Sequence, residues 1–248
     1  MAWWETLFED AYPRLWSSLL TPERTSREVA GIEGFLELAL GASILDLCCG
    51  QGRITMPLAQ KGYRMTGLDL SERLLELARA AAREAGVDVR WHQADMRDIP
   101  WEEEFDAVIS IFTSFGYFED EAENQRVLEG VRRALVPGGK FLIDVNHRDR
   151  MVQLFQDRYW FEVEDIVVWV ERHFDPVKGI SRETMRWLEG DEERQRSFSV
   201  RCYTATELAR MLRRAGLEPV AFYGDFDQSE FTKDSRRLIV LAEKSASV

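Results

Sequence analysis

The chain predicts an α/β protein built on a doubly wound, mostly parallel sheet, with an antiparallel β insertion after the fifth strand. Three observations predict it. Between Ile44 and Val145 short apolar runs alternate with amphipathic stretches, the order that a parallel sheet with crossover helices requires. A glycine turn, Gly50-Gln51-Gly52, follows the first apolar run and precedes a helical stretch. From Tyr159 to Val200 aromatic and β-branched residues take over, with turn signals at Asp175-Pro176 and Gly190-Asp191, which reads as antiparallel strands.

Each element has its own signal. Trp4, Leu7, Phe8, Ala11, Leu15 and Leu19 recur at helical spacing and predict a helix over Trp3 to Leu20. Thr21-Pro22 fits an N-cap followed by proline in the first turn, opening a second helix to about Leu38 that Gly41 closes. Ile44 to Leu47 is the first strand. A helix from Arg53 to Lys61 stops at Gly62, and Tyr63 to Leu68 is the second strand. Ser71 caps a helix from Glu72 to Glu84 that Gly86 stops. Val87, Val89 and Trp91 alternate with polar residues as a third strand. The nearly continuous apolar run Phe105 to Ile111 suits a central parallel strand. A helix from Glu121 to Leu135 ends at Pro137-Gly138-Gly139, and Lys140 to Val145 is the fifth strand. After the insertion Thr204 caps a helix through Arg214, and Pro219 to Tyr223 and Arg237 to Ala242 complete a seven-stranded sheet.

The turn after the first strand carries chemistry. Glycine removes the Cβ that would keep a ligand from the backbone. A pyrophosphate cofactor wants only amide donors and a helix N-terminus at such a turn. Asp46, just ahead of the glycines, repels phosphate and attracts an ammonium. With Asp46, Gly50 and Gly52 in place, the chain resembles the class I S-adenosylmethionine-dependent methyltransferases with a Rossmann-like sheet, of the small-molecule type. Their turn reads acid-x-Gly-x-Gly-x-Gly; Cys48 stands at the first glycine. The Gly-x-Gly-x-x-Gly pattern of NAD enzymes fits worse, because Thr55 occupies its third glycine position.

The resemblance implies that the last two strands form an antiparallel pair and that the final strand inserts between its neighbours. It also implies two units: residues 1–147 with 204–248 bind the cofactor and carry an N-terminal helical lid, and 148–203 cover the substrate. The implied cofactor is S-adenosylmethionine, and the implied reaction is an in-line displacement that moves its methyl group to an N or O nucleophile of a small polar metabolite.

Ligands of such sheets sit outside the carboxyl ends of the strands. Asp46, Cys48, Gly50 and Gly52 suit the methionine portion. Asp69, at the end of the second strand, suits both ribose hydroxyls, with Leu70 beside it. Asp95 and Met96, after the third, suit the adenine amino group and ring, with Asp98 as a competing acceptor. Ile111, Phe112 and Thr113 follow the fourth strand and suit the reactive methyl, where an aromatic face attracts a cation. Phe115, Tyr117 and Phe118 compete as packing residues. His147, just past the fifth strand, and Tyr12, on the lid, are the catalytic candidates. Arg148 and Arg150 can hold a substrate anion, Asp225 and Phe226 can touch substrate, and His92 reads as structural.

Composition narrows the partners. The net charge of −12 opposes nucleic acid. Three cysteines show neither a disulfide framework nor zinc-ligand spacing, so no metal is expected. No leader-like start and no apolar run near the ~20 residues that span a bilayer is present, so the expectation is a cytoplasmic protein without a membrane partner. A homo-oligomer stays open. Among competitors, a dehydrogenase is disfavoured by Asp46, an aminopropyl transferase has no acidic polyamine-site motif to support it, and a non-catalytic S-adenosylmethionine sensor is the main alternative.

Overall fold

The computed structural model describes residues 3–8, 15, 16 and 18–245. In chain order the elements are α1 (Trp3–Leu7), α2 (Pro22–Leu36), β1 (Ser43–Leu47), α3 (Thr55–Gln60), β2 (Arg64–Asp69), α4 (Glu72–Ala85), β3 (Arg90–Gln93), β4 (Phe105–Ser110), α5 (Glu121–Ala134) and β5 (Leu135–Asn146). They continue with α6 (Arg148–Gln153), β6 (Arg158–Val163), β7 (Ile166–Asp175), β8 (Ile180–Glu189), β9 (Glu192–Arg201), α7 (Ala205–Arg214), β10 (Leu217–Tyr223) and β11 (Arg237–Lys244).

The main sheet has seven strands in the order β10-β11-β5-β4-β1-β2-β3. Those from β5 to β3 run parallel, and β11 lies antiparallel between β5 and β10. The winding reverses between β1 and β4, where Ile44 pairs with Ala107. A crevice opens at the carboxyl ends of strands at such a switch point. Apolar side chains on the two faces form two cores: Leu45, Val108 and Leu128 belong to one, and Ile44, Ile109 and Ile32 to the other. Strands buried on both sides explain the unbroken apolar run of β4.

The second sheet, β6-β7-β8-β9, is antiparallel. Its inner face places Val168, Val170, Met185 and Trp187 in a third core with Leu7 and Leu15. Val168 and Val170 are fully enclosed, and each such side chain stabilises the packing by roughly 1.5–3 kcal/mol. The N-terminal segment thus joins the second sheet to the carboxyl edge of the first. Trp3 lies edge-on to Tyr117 at 4.9 Å and tilted against Phe198 of β9 at 6.0 Å, while Trp4 meets Phe118 at 5.2 Å.

Several boundaries differ from expectation for local reasons. The helix opened by Thr21 closes at Glu37, which adopts φ +47°, and not at Gly41. The helix after the glycine turn begins at Thr55 rather than Arg53. Pro137-Gly138-Gly139 lies inside β5 as a register shift, because the strand already pairs Leu135 with Phe105 before resuming at Lys140. β3 starts at Arg90, later than the Val87 alternation suggests. Helix α6 was not legible in the sequence. The N-terminal helix is described as Trp3–Leu7; residues 9–14 and 17 of the expected longer helix lie outside the described residues. No helix among the described residues is long and apolar enough to cross a membrane.

Candidate active site

The turn after β1 is held in shape by its neighbours. Cys49 N–H donates to Leu68 O at 3.1 Å, Gly52 N–H to Cys49 O at 3.0 Å, and Gly50 N–H to Asp69 Oδ2 at 2.7 Å. Gly50 has φ +57°, and a Cβ there would meet only Leu74 Cδ1, at 3.9 Å. It would therefore stand in the open crevice, in the room a ligand needs. Cys48 adopts φ +62°, the conformation for which glycine is the strain-free residue. Gly52 faces the other way: a Cβ there would lie 2.8 Å from the Trp91 ring, so its smallness serves packing and it lines none of the cavities described below.

Asp46 is buried and accepts from Thr55 Oγ1 at 2.6 Å. Burial pushes its carboxyl up to about 6; the Thr55 hydrogen bond opposes that rise. Asp69 is also buried, accepting from Gly50 N–H through Oδ2 and from Ser71 N–H through Oδ1 at 2.9 Å. Ser71 Oγ caps α4 itself, which leaves Asp69 free of that duty. Each carboxylate oxygen keeps an acceptor site for a further donor.

Three connected spaces converge here. A recess of about 80 Å³ is lined by Cys48, Gly50, Asp69, Leu70, Asp95 and Met96, among others. Trp4, Phe8, Tyr117 and Phe118 also face it, so Tyr117 and Phe118, weighed as packing residues, pack and line at once. Asp95 is held by Arg97, which donates to it from its backbone N–H, Nε and Nη2. Arg97 keeps its carboxyl below the ordinary range although burial opposes this. Asp98 is exposed, pairs with Arg126, and does not face the recess. A second recess contains Asp46, Gln51, Arg53 and Ile111. The third space, of about 400 Å³, opens toward the second sheet.

Phe112 borders all three. It and Thr113 both adopt φ +63°, a conformation that costs about 1–3 kcal/mol per non-glycine residue and needs outside support. Asp144 supplies it. Its Oδ2 accepts from Phe112 N–H at 2.9 Å, and its main-chain carbonyl accepts from Thr113 N–H at 3.0 Å. Arg237 donates to Asp144 Oδ1 at 2.6 Å, to Thr113 Oγ1 at 2.9 Å and to Asn146. Both Asp144 and Arg237 are buried. Arg24 and Arg53 lie over the Phe112 ring at 4.9 and 5.9 Å, and Glu28, buried, pairs with both at 2.6 Å. Thr113 faces the large cavity and not the two recesses.

The structure does not bring every candidate to these spaces. His147 is buried; its Nδ1 meets Ser235 O at 2.9 Å and its ring lies edge-on to Phe231. It stands at the N-cap of α6 without a side-chain cap bond and lines none of the cavities described here. Arg148 pairs with Glu207, and Arg150 is turned to solvent beside Gln153. Asp225 pairs with Arg27, and Phe226 packs on Phe35 of α2. His92 packs against Trp101. Tyr12 lies outside the described residues. Sequence reasoning missed Arg53, Asp144, Asn146, Arg237, Tyr159 and Glu183, all at or behind these walls. The one local signal was Asp144, a lone acid within the apolar run of β5.

The thiols are set up as filler. Burial first, then the nearby Asp69 and Asp46 carboxylates, push Cys48 and Cys49 well above the ordinary thiol value, and burial pushes Cys202 up to about 11. Iodoacetamide at pH 8, followed by mass spectrometry, is therefore expected to modify the folded protein on the order of tenfold or more slowly than the unfolded chain. Rapid labelling of Cys48 in the native state would overturn this.

Residues 44–139 match the family described as a methyltransferase domain. A putative methyltransferase of Bacillus subtilis, YqeM, is 28% identical over 211 residues, covering 83% of this chain and 85% of that protein. The CcbJ methyltransferase from Streptomyces caelestis has the same fold, with a TM-score of 0.85 over 99% of both chains at 24% identity. An amino pentose methyltransferase from Micromonospora echinaspora, solved with S-adenosylmethionine bound, aligns with a TM-score of 0.71 at 22% identity over 97% of this chain and 99% of its own. Residues 44–139 are thus a methyltransferase domain, on the fold of the class I S-adenosylmethionine-dependent methyltransferases. The chain is an enzyme, and its cofactor is S-adenosylmethionine.

The residues present fit that cofactor. Gly50 puts no Cβ into the crevice, two buried carboxylates face it where a cationic donor needs them, and burial raises both carboxyls in a way that a nearby cation relieves.

Proposed function

We propose that this enzyme methylates an N or O nucleophile of a small polar metabolite by in-line displacement. The cavity of about 400 Å³ that meets the cofactor crevice at Phe112 carries this reading. Its size lies in the range of small-molecule sites, and it is walled by the second sheet and the N-terminal segment. A solved neighbour of related fold is an amino pentose methyltransferase, which supports this reading.

S-adenosylmethionine supplies an activated methyl group on a sulfonium, so the chain's own work is binding, alignment and exclusion of water. In this reading Asp46 holds the ammonium and Arg53 the carboxylate of the methionine portion. Asp69 takes the ribose hydroxyls, with Leu70 beside them. Asp95 accepts from the adenine amino group, and Met96 and Cys48 pack the base. Ile111 and Phe112 line the methyl, and Thr113 faces the acceptor. Residues 148–203 act as the substrate-covering unit, and 1–147 with 204–248 as the cofactor unit. Trp3, Trp4 and Phe8 form part of the cover.

A radiolabelled-methyl assay over a panel of amines, alcohols, phenols and carboxylates tests the reading. Label is expected in a subset of small N or O acceptors. Label in no acceptor, despite measured S-adenosylmethionine binding, would sink it.

A further inference from the structure

The wall contributed by the second sheet carries Glu162 at its exposed rim and, deeper in, a second carboxylate, Glu183. Glu183 of β8 pairs directly with Arg172 of β7 in the strand register, with Glu183 Oε1 3.2 Å from Arg172 Nε. Tyr159 of β6 lies beside the same carboxylate on the cavity wall. Arg172 sits behind the acid, over the rings of Phe155 at 5.0 Å and Tyr159 at 5.7 Å. Glu183 and Tyr159 face the cavity, whereas Arg172 is not among the residues lining it.

Its neighbours on that face are Val168, Val170 and Met185, so an apolar pair would pack there without the desolvation cost of an ion pair. A structural role alone does not explain a carboxylate turned to the cavity. Neither does electrostatics elsewhere in the chamber, whose charged lining residues, among those described, are Glu162, Glu183 and Arg237. Arg237 is already engaged by Asp144, Asn146 and Thr113. Among the described lining residues the two acids outnumber the one cation, with Glu183 in the wall and Glu162 at the exposed rim. Eight of the nineteen lining residues are aromatic, and aromatic faces attract organic cations and give nothing comparable to anions.

We propose that Glu183, braced by Tyr159 and Arg172, anchors a protonated amine of the acceptor, making the substrate an organic amine rather than a carboxylated or phosphorylated metabolite. The consequence for turnover rests on the methyl-transfer reading above; the binding site does not. An anchored ammonium must lose a proton before its nitrogen lone pair is available. The Glu183 carboxylate accepts that proton from nitrogen and later passes it to water. Burial raises the carboxyl from its ordinary value, with Arg172 opposing, which makes it a better acceptor.

The test uses the full chain saturated with adenosylhomocysteine, so that the cofactor crevice is filled. Cyclohexylammonium chloride and sodium cyclohexanecarboxylate, matched in shape and opposite in charge, are titrated by calorimetry and ligand-observed NMR. The ammonium is expected to bind about tenfold or more tightly than the carboxylate, and Glu183→Gln to erase that preference while adenosylhomocysteine affinity stays unchanged. Equal or tighter carboxylate binding, or a preference that survives Glu183→Gln, overturns the proposal. If the variant does not fold, the wild-type comparison alone decides. A charge preference with label in no acceptor of the labelled-methyl panel would leave the anchor standing and remove the methyl-transfer reading. Methylated amines without the preference would do the reverse.

Discussion

An Asp46→Asn protein is expected to melt higher than the parent when ligand-free, and to bind S-adenosylmethionine about ten- to a hundredfold more weakly. The two effects share one cause. Asp46 is buried, and its carboxyl is raised from 3.8 to about 6. The folded state therefore holds a proton that the unfolded chain releases at lower pH. The stability contributed by that proton is complete below about pH 4 and lost as pH rises through 6. Above that window the ionised acid costs the empty protein up to about 3 kcal/mol. Asparagine keeps an acceptor for Thr55 and removes the charge, so the stability gain should fade as pH is lowered from 7 to 4. Binding runs the other way. An ammonium favours the ionised acid, so parental affinity should fall below pH 6 and the variant's should not follow. Thermal melts and calorimetry between pH 4.5 and 8 check both. A variant that binds as tightly as the parent would remove Asp46 from the cofactor site.

What the chain announces and what it hides follow from range. Asp46, Asp69 and Asp95 each stand at or just past the end of a strand beside a turn, so a local reading finds them, and the parallel sheet brings them to one edge. Glu37 in place of Gly41 as the end of α2, and Pro137-Gly138-Gly139 absorbed into β5, are cases where pairing elsewhere overrode a local signal. The polar groups behind the cavity are hidden for a stronger reason. Glu183 occupies an inner position between the polar Arg182 and Thr184, and only the register with β7 shows that Arg172 stands opposite. His147 illustrates the converse. Its place just after β5 is suggestive, but the chain turns the ring toward Ser235, 88 residues away in sequence. The Asp144–Arg237 contact joins residues 93 apart, through the antiparallel insertion of β11 beside β5.

That last contact carries the largest stability effect expected in the molecule. Arg237→Met leaves the Asp144 carboxylate, 1% exposed, without its countercharge. Breaking a buried pair from one side costs roughly 3–5 kcal/mol, because the surviving charge stays desolvated. The damage should not be confined to stability. Oδ2 of Asp144 holds the Phe112 amide and Arg237 holds the Thr113 hydroxyl, so the two left-handed residues lose the supports that keep them at the junction of crevice and cavity. Methyl transfer should therefore fall much further than adenosylhomocysteine affinity, since Asp46 and Asp69 lie on other strands. Pairing the change with Asp144→Asn removes the stranded charge and keeps an acceptor for the Phe112 amide. The double variant should then regain much of the lost stability in urea melts without regaining the full rate. A single variant that loses less than about 1 kcal/mol, or a double variant no more stable than the single one, would show that the pair behaves as a solvent-screened contact and that the Phe112-Thr113 turn is held by something else.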